Sequence, residues 1–147
     1  MDKIKVLFVC IHNSARSQMA EAFLNTLGKG LFEAQSAGLE PGVLNPLVVA
    51  AMKEIGIDIS GNKTKSVFDF YKQGERFNYV FTVCDAASGE RCPIFPGAKK
   101  QIHMPFEDPG SFTGTYEEKL AKTRIVRGQI KKAMQDFIDD ITLPKTC

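Results

Sequence analysis

The stretch IKVLFVCIHNSARSQMAEAFLNTL, residues 4–27, joins a strand pattern, a short polar loop and a helix pattern without interruption. Its first part, from Ile4 to Val9, is a nearly unbroken β-branched and aromatic run, as expected for a strand covered on both faces of a parallel sheet. From Arg16 onward, apolar residues recur at helical spacing until Gly28 ends the pattern. The polar loop that begins at Cys10 therefore leads directly into the beginning of a helix.

The rest of the chain continues to alternate strand and helix patterns. We predict further strands over residues 32–37, 77–83 and 99–104, and helices over residues 46–55, 66–73 and 115–141. Asn45 and Pro46 are typical of an N-cap followed by a first helical residue. This alternation predicts an α/β sandwich with a four-stranded parallel sheet and right-handed crossovers.

The length and composition favour one globular domain over residues 1–147. Hydrophobic residues make up 44% and charged residues 24%, and the net charge of +2 is not gathered into a basic stripe, so we expect no nucleic-acid partner. No apolar run approaches the roughly 18 residues of a spanning helix, and the N-terminus lacks a signal-peptide cleavage site. We therefore expect no membrane partner and a cytoplasmic location.

In that reducing compartment, free, catalytic or metal-binding cysteines are more common than structural disulfides. The four cysteines are Cys10, Cys84, Cys92 and Cys147.

The loop after the first strand combines a thiol with groups that bind anions. Ligands of open parallel sheets bind beyond the carboxyl ends of the strands, and a helix N-terminus offers backbone N–H groups to an anion. Arg16 adds a planar fork for two oxygens, and these surroundings favour the thiolate of Cys10. Ser17 is placed to donate a hydrogen bond to the sulfur. The alternative is that Cys10 is a core cysteine and Arg16 a surface residue.

The spacing favours a nucleophile with an oxyanion cradle. The predicted cradle consists of Ile11, His12, Asn13, Ser14, Ala15, Arg16 and Ser17.

The segment CIHNSARS, residues 10–17, fits the C-x5-R-[ST] loop shared by the low-molecular-weight protein tyrosine phosphatases and the thioredoxin-coupled arsenate reductases. Its continuation SQMAEAF resembles the reductases in particular, and the resemblance extends over essentially the whole chain. We expect a monomer, and the resemblance implies a three-layer sandwich with helices on both faces of the sheet. It also implies binding of arsenate, with phosphate or sulfate as mimics.

The second cysteine pair distinguishes the two activities. A phosphatase needs one cysteine, because water hydrolyses the phosphocysteine, whereas a reductase needs further thiols that reach the first. The segment VCDAASGERCP, which carries Cys84 and Cys92, resembles the redox segment of the thioredoxin-coupled reductases. The resemblance implies thiol exchange from Cys10 to Cys84 to Cys92, with reducing equivalents from thioredoxin and no bound cofactor. The alternatives are a core thiol with an incidental loop thiol, or a zinc site, for which the cysteine spacing is wide.

Two further groups of residues match positions of the resembled families. Asp108, before Pro109, matches the acid that protonates the leaving oxygen; an ordinary turn is the alternative, and Glu107 is a neighbouring carboxylate.

Positions that hold a potassium ion in some of these reductases are matched by Asn13, Glu21 and Ser36. Lys65 stands where such members carry an acidic residue, so its ammonium is an alternative occupant of the ion's place.

The sequence therefore predicts an arsenate reductase that converts arsenate to arsenite. A low-molecular-weight phosphatase is the first alternative, because it uses Cys10, Arg16 and Asp108 equally well. The second is an oxyanion-binding or redox-sensing module without catalytic turnover.

Overall fold

The structure, a computed structural model, describes residues 3–84 and 95–142. These residues form four strands and four α-helices. In chain order they are β1 (Ile4–Cys10), α1 (Arg16–Leu27), β2 (Phe32–Gly38), α2 (Pro46–Lys53), α3 (Val67–Lys72), β3 (Phe77–Thr82), β4 (Ala98–His103) and α4 (Tyr116–Thr142), with a short 3-10 turn at Pro109–Ser111 before α4.

The four strands form one parallel sheet in the order β2-β1-β3-β4. Alternate side chains of β1 enter two separate cores: Val6 and Phe8 pack with α1, α2 and α4 on one face, whereas Leu7 and Val9 pack with α3 on the other. A strand with both faces covered has no polar alternation, which explains the continuous apolar run of β1. The prediction of a three-layer α/β sandwich is confirmed, and the carboxyl end of β1 lies in the middle of the sheet.

The prediction for α2 was too long at its end. Asn45 caps the helix as expected, since its side chain accepts a hydrogen bond from the N–H of Leu47. The helix nevertheless ends at Lys53, and Ile55 is 39% exposed instead of completing the apolar stripe. The cause is Gly56, whose φ of 82° lets the chain fold back on the last helical carbonyls.

The end of α2 is tied to α4 by a cluster of ionic contacts. Glu54 accepts hydrogen bonds from Arg124 at 2.6 Å and from Arg127 at 2.8 Å, and the same Arg127 donates to the carbonyl of Ala51 at 2.7 Å. The hydrogen bonds from Arg124 and Arg127 lower the pKa of Glu54 to about 2. Glu54 therefore links two helices that pack on the same face of the sheet.

Replacement Glu54→Gln is expected to lower the Tm modestly at neutral pH, because the pair is partly exposed and screened by solvent. A carboxyl with a lowered folded pKa stabilises the fold above its unfolded value of 4.5 and loses that contribution as the pH falls through about 2. The Tm difference between the variant and the parent should therefore shrink as the pH is lowered across this window. Thermal melts in a pH series check the effect, and a difference independent of pH would contradict it.

Candidate active site

The loop between β1 and α1 turns its carbonyl groups outward. Four of them accept hydrogen bonds from backbone N–H groups of the segment that follows β2. The donor and acceptor pairs are Leu39 to Cys10 at 3.2 Å, Glu40 to Ile11 at 2.8 Å, Gly42 to His12 at 3.0 Å and Asn45 to Ser14 at 2.9 Å. The carbonyl of Asn13 accepts from the side chain of Gln18 at 3.1 Å, and that of Ala15 from the N–H of Met19 at 3.0 Å.

This outward orientation determines where the loop's N–H groups point. The residues that the structure describes contain no cis peptide bond, and in a trans peptide the C=O and N–H bonds point in opposite directions. The N–H groups of residues 11–16 are therefore directed to the inner side of the loop. The Asn13 N–H illustrates the arrangement, since it donates to the sulfur of Cys10 at 3.1 Å. The result is a concave set of donors of the kind that binds anions.

Gly38, the last residue of β2, allows the loop to lie this close to the sheet. A Cβ atom at this position would be 2.7 Å from the carbonyl oxygen of Ile11 and 2.8 Å from the backbone nitrogen of Asn13. Both neighbours are backbone atoms that cannot rotate away. Any larger residue would therefore displace the cradle itself.

The hydrogen bonds around Cys10 fix the direction of each donor. Asn13 Oδ1 accepts from the backbone N–H of Lys65 at 2.9 Å, so Asn13 presents its Nδ2 group to Ser17 Oγ, at 2.8 Å. Ser17 thus accepts from Asn13, and its own hydroxyl proton is available for Cys10 Sγ at 2.9 Å. The sulfur then receives two donors, the hydroxyl of Ser17 and the N–H of Asn13. That arrangement stabilises a thiolate at the end of β1.

Arg16 is buried at the beginning of α1 and connects three parts of the site. Its Nη1 donates to the carbonyl of Phe106 at 3.2 Å and, more weakly, to that of Val83 at 3.5 Å. Its Nη2 lies 3.6 Å from Oδ2 of Asp108. The guanidinium therefore joins the oxyanion loop to the segment before Cys84 and to the segment that carries the candidate acid.

Asp108 has two contacts of different kinds. One carboxylate oxygen accepts from the N–H of Gly110 at 2.9 Å and begins the 3-10 turn, while the other faces Arg16. The turn-forming role and the position beside the oxyanion loop are thus compatible. The neighbouring Glu107 is exposed and has no such contact with Arg16 among those described.

Cys84 follows β3 and is fully buried beside the end of β1. Its Sγ lies 3.9 Å from the carbonyl oxygen of Val9, the residue before Cys10, and both thiols belong to the same core. The structure therefore brings Cys84 to the sheet edge where Cys10 lies. Cys92, the predicted third thiol, lies outside the described residues, as does Cys147.

The remaining predicted residues differ in how they contribute. Ile11, Ser14 and Ala15 contribute through their backbone. His12 is exposed; because a carbonyl oxygen only accepts hydrogen bonds, its Nδ1 donates to Glu40 O at 2.9 Å.

Sequence reasoning gave no site role to residues 39–45, which hold the loop carbonyls, to Gln18 or to residues 62–64. It named Lys65 for its ammonium and missed the hydrogen bond from its backbone N–H to Asn13. Backbone partners of this kind leave no pattern in a sequence.

A second polar cluster lies behind the loop, around Glu21. Burial raises the pKa of Glu21, whereas Lys65 and Ser36 oppose that rise. Lys65 Nζ lies 3.7 Å from Glu21 Oε1 and 3.4 Å from the carbonyl of Lys63, and Ser36 donates to the same carboxylate oxygen at 3.2 Å. An ammonium already occupies this position, and its charge would repel a potassium ion. These residues therefore do not fit the ion.

The fold and the loop together define a class of α/β proteins in which a cysteine at the end of the first strand lies within a cradle for a tetrahedral oxyanion. A family model described as low molecular weight phosphotyrosine protein phosphatase matches residues 5–143. The chain belongs to this family.

Proteins similar to this chain include several arsenate reductases. The chain is 39% identical to an arsenate reductase of Halalkalibacterium halodurans and 38% identical to one of Bacillus subtilis, in each case covering 95% of this chain and 98% of the relative. A solved arsenate reductase in the phosphate binding state is 34% identical, with a TM-score of 0.77 over 95% of this chain and 99% of that one. A low molecular weight protein tyrosine phosphatase from T. tengcongensis, at 23% identity and a TM-score of 0.70, shares the fold.

Proposed function

We propose that this protein is an arsenate reductase that converts arsenate to arsenite. The observation that carries the proposal is that two buried thiols lie together at the carboxyl ends of neighbouring strands. Cys10 accepts two hydrogen bonds within the oxyanion loop, and Cys84 packs against Val9, the residue before Cys10. Arsenate is a tetrahedral oxyanion, as the cradle requires. The arsenate reductases among the relatives support the same activity.

In the first step, the Cys10 thiolate attacks arsenic while the loop amides and Arg16 bind the oxygens. An As–S bond forms, an As–O bond breaks, and the carboxyl of Asp108 gives a proton to the departing hydroxyl, which leaves as water. Arsenic is still pentavalent in this adduct. The 3.6 Å contact between Asp108 and Arg16 holds the acid beside the bound anion.

In the second step, the thiolate of Cys84 attacks the sulfur of Cys10. The Cys10–Cys84 disulfide forms as the As–S bond breaks, and its electron pair remains on arsenic, which leaves as arsenite. Cys92 then attacks Cys84, and a Cys84–Cys92 disulfide forms while Cys10 is released as a thiolate. A thioredoxin dithiol reduces the final disulfide by the same exchange. A Corynebacterium glutamicum structure described as a thioredoxin-dependent arsenate reductase, 28% identical, supports this choice of reductant.

We further propose that no potassium ion takes part, because Lys65 supplies the positive charge beside Glu21. We place the reaction in the cytoplasm, where thioredoxin and reduced thiols are available. Within the described part of the chain, no helix is long and apolar enough to cross a membrane.

Hydrolysis of an aryl phosphate is the second candidate activity. It is favoured by one specific observation: the cradle, Arg16 and Asp108 are complete without the second cysteine. In that reaction, water would attack phosphorus in the phosphocysteine and return the thiolate.

The decisive experiment is a coupled assay containing the protein, arsenate, thioredoxin, thioredoxin reductase and NADPH. NADPH consumption that depends on both arsenate and thioredoxin is the expected result. Replacement of thioredoxin by glutaredoxin and glutathione tests the reductant. Aryl phosphate hydrolysis without arsenate-dependent NADPH consumption would favour the phosphatase, and phosphate binding without either turnover would favour a binding or sensing module.

A further inference from the structure

Gln18, in the first turn of α1, is fully buried although it carries a polar amide. Its Nε2 lies 3.1 Å from each of three acceptors: the backbone carbonyl of Asn13, the side-chain Oδ1 of Asn13 and the carbonyl of Lys63. Two N–H groups therefore serve three acceptors, with one shared between the two oxygens of Asn13. The Oε1 of Gln18 accepts from Nδ2 of Asn62 at 3.0 Å.

The orientation of this amide is fixed by its partners. Two of the three groups that face Nε2 are backbone carbonyls, which only accept hydrogen bonds, so a flipped amide would place its oxygen against oxygen atoms. Gln18 is thus fully hydrogen-bonded in one orientation. It links α1 to the oxyanion loop on one side and to residues 62–63 on the other.

Asn13 is the residue that needs such support. Its φ of 54° makes it the one described residue other than glycine in the left-handed region, which asparagine tolerates better than most side chains. This conformation aims its N–H at Cys10 Sγ, while its side chain directs the hydroxyl of Ser17 to the same sulfur. Both donors to the nucleophile therefore depend on one residue, whose backbone and side chain are both held by Gln18.

We propose that Gln18 is a positioning residue for Cys10: by holding Asn13, it keeps the two hydrogen-bond donors directed at the thiolate and couples their position to residues 62–65. The backbone N–H of Lys65, which donates to Asn13 Oδ1 at 2.9 Å, completes the coupling. The described hydrogen bonds of Gln18 go to Asn13, Asn62 and Lys63, and none goes to Cys10. Its effect on the reaction passes through Asn13, whichever oxyanion reaction the site performs.

The test uses Gln18→Met, which keeps the length of the side chain and removes every donor. The rate of Cys10 alkylation by iodoacetamide near neutral pH is expected to fall about tenfold, and the pH profile of alkylation is expected to move to higher pH, because fewer donors stabilise the thiolate. The charged groups on the adjoining elements, Arg16 and Asp108 at the loop and Glu21 with Lys65 behind it, are unchanged in this variant. Cys10 is identified as the alkylated site by peptide mass spectrometry.

Asn25→Leu is the matched control, because Asn25 lies in the same helix and its side chain makes two hydrogen bonds with the backbone of Ala34, away from the loop. Both variants should be destabilised, and only Gln18→Met should change the alkylation profile. Asn62→Ala, which removes the partner of Gln18 Oε1, should shift the profile in the same direction by a smaller amount. It also provides the test if Gln18→Met does not fold.

An alkylation profile that does not move in any folded variant of Gln18 or Asn62, or that moves equally in Asn25→Leu, would overturn the proposal. The alkylation readout needs neither arsenate nor thioredoxin. Failure of the proposed reductase activity would therefore leave this result unaffected.

Discussion

Replacement Cys84→Ser is expected to stop multiple-turnover arsenate reduction, with a loss of at least about 100-fold in the coupled assay, because the thiol that displaces arsenite from Cys10 is removed. Serine is close to cysteine in size, so the buried position beside Val9 should stay filled and the core should remain folded. Phosphate should protect Cys10 from alkylation as well in this variant as in the parent, because the oxyanion loop does not include residue 84.

The matched control for this prediction is Cys147→Ser, which removes a cysteine that has no task in the proposed exchange. Its turnover should equal that of the parent. If Cys84→Ser retained arsenate turnover with thioredoxin as the only thiol donor, the proposed thiol exchange would be contradicted. The conclusions about the oxyanion loop would not be affected.

Replacement Arg16→Lys is expected to lower kcat/KM for arsenate by about 10²–10³, the size of loss seen when one oxyanion donor is removed. Lysine keeps the positive charge but has no planar fork, so it cannot bridge the carbonyl of Phe106, the carboxylate of Asp108 and a bound anion together. Steady-state kinetics check the loss. Phosphate protection of Cys10 should weaken in parallel, because the same group binds both anions.

Arg127→Lys provides a control of the same chemistry, since Arg127 also bridges a carboxylate and a backbone carbonyl but lies at the contact between α2 and α4. That variant should lower the Tm and leave kcat/KM close to the parent value. If Arg16→Lys lost only stability and kept its kinetic constants, the oxyanion-binding role of Arg16 would be wrong.

The contrast between two regions shows how much of the fold the sequence predicted. The run from Ile4 to Val9 predicted β1 because both of its faces are buried, and the helical spacing from Arg16 onward predicted where α1 begins. The predicted end of α2 was wrong because Ile55 fits the apolar spacing. The helix ends at Lys53 instead, because the chain turns back at Gly56. Local periodicity is informative where one pattern extends through an element, and it fails where a single backbone conformation ends it.

In the candidate site, too, the local sequence predicted some features and only the tertiary structure showed the others. The order of Cys10, Arg16 and Ser17 between a strand and a helix predicts a nucleophile in an oxyanion cradle, and chain connectivity alone places these three residues at a strand end. The segment after β2 that turns the loop carbonyls outward, and the role of Gly38 beneath the loop, depend on contacts between residues more than 20 positions apart. No spacing rule reports such contacts.

The sequence by itself determined the order of strands and helices, the placement of Cys10 and Arg16 between β1 and α1, and the presence of further cysteines. Only the tertiary structure decided which groups surround the sulfur, since the donors from Asn13 and Ser17 are directed by Lys65 and Gln18, and by no residue adjacent to Cys10. It also decided that an ammonium lies beside Glu21. The physical reason is that hydrogen bonds and charges act over a few ångströms, and only the packed sheet brings these distant parts of the chain within that range.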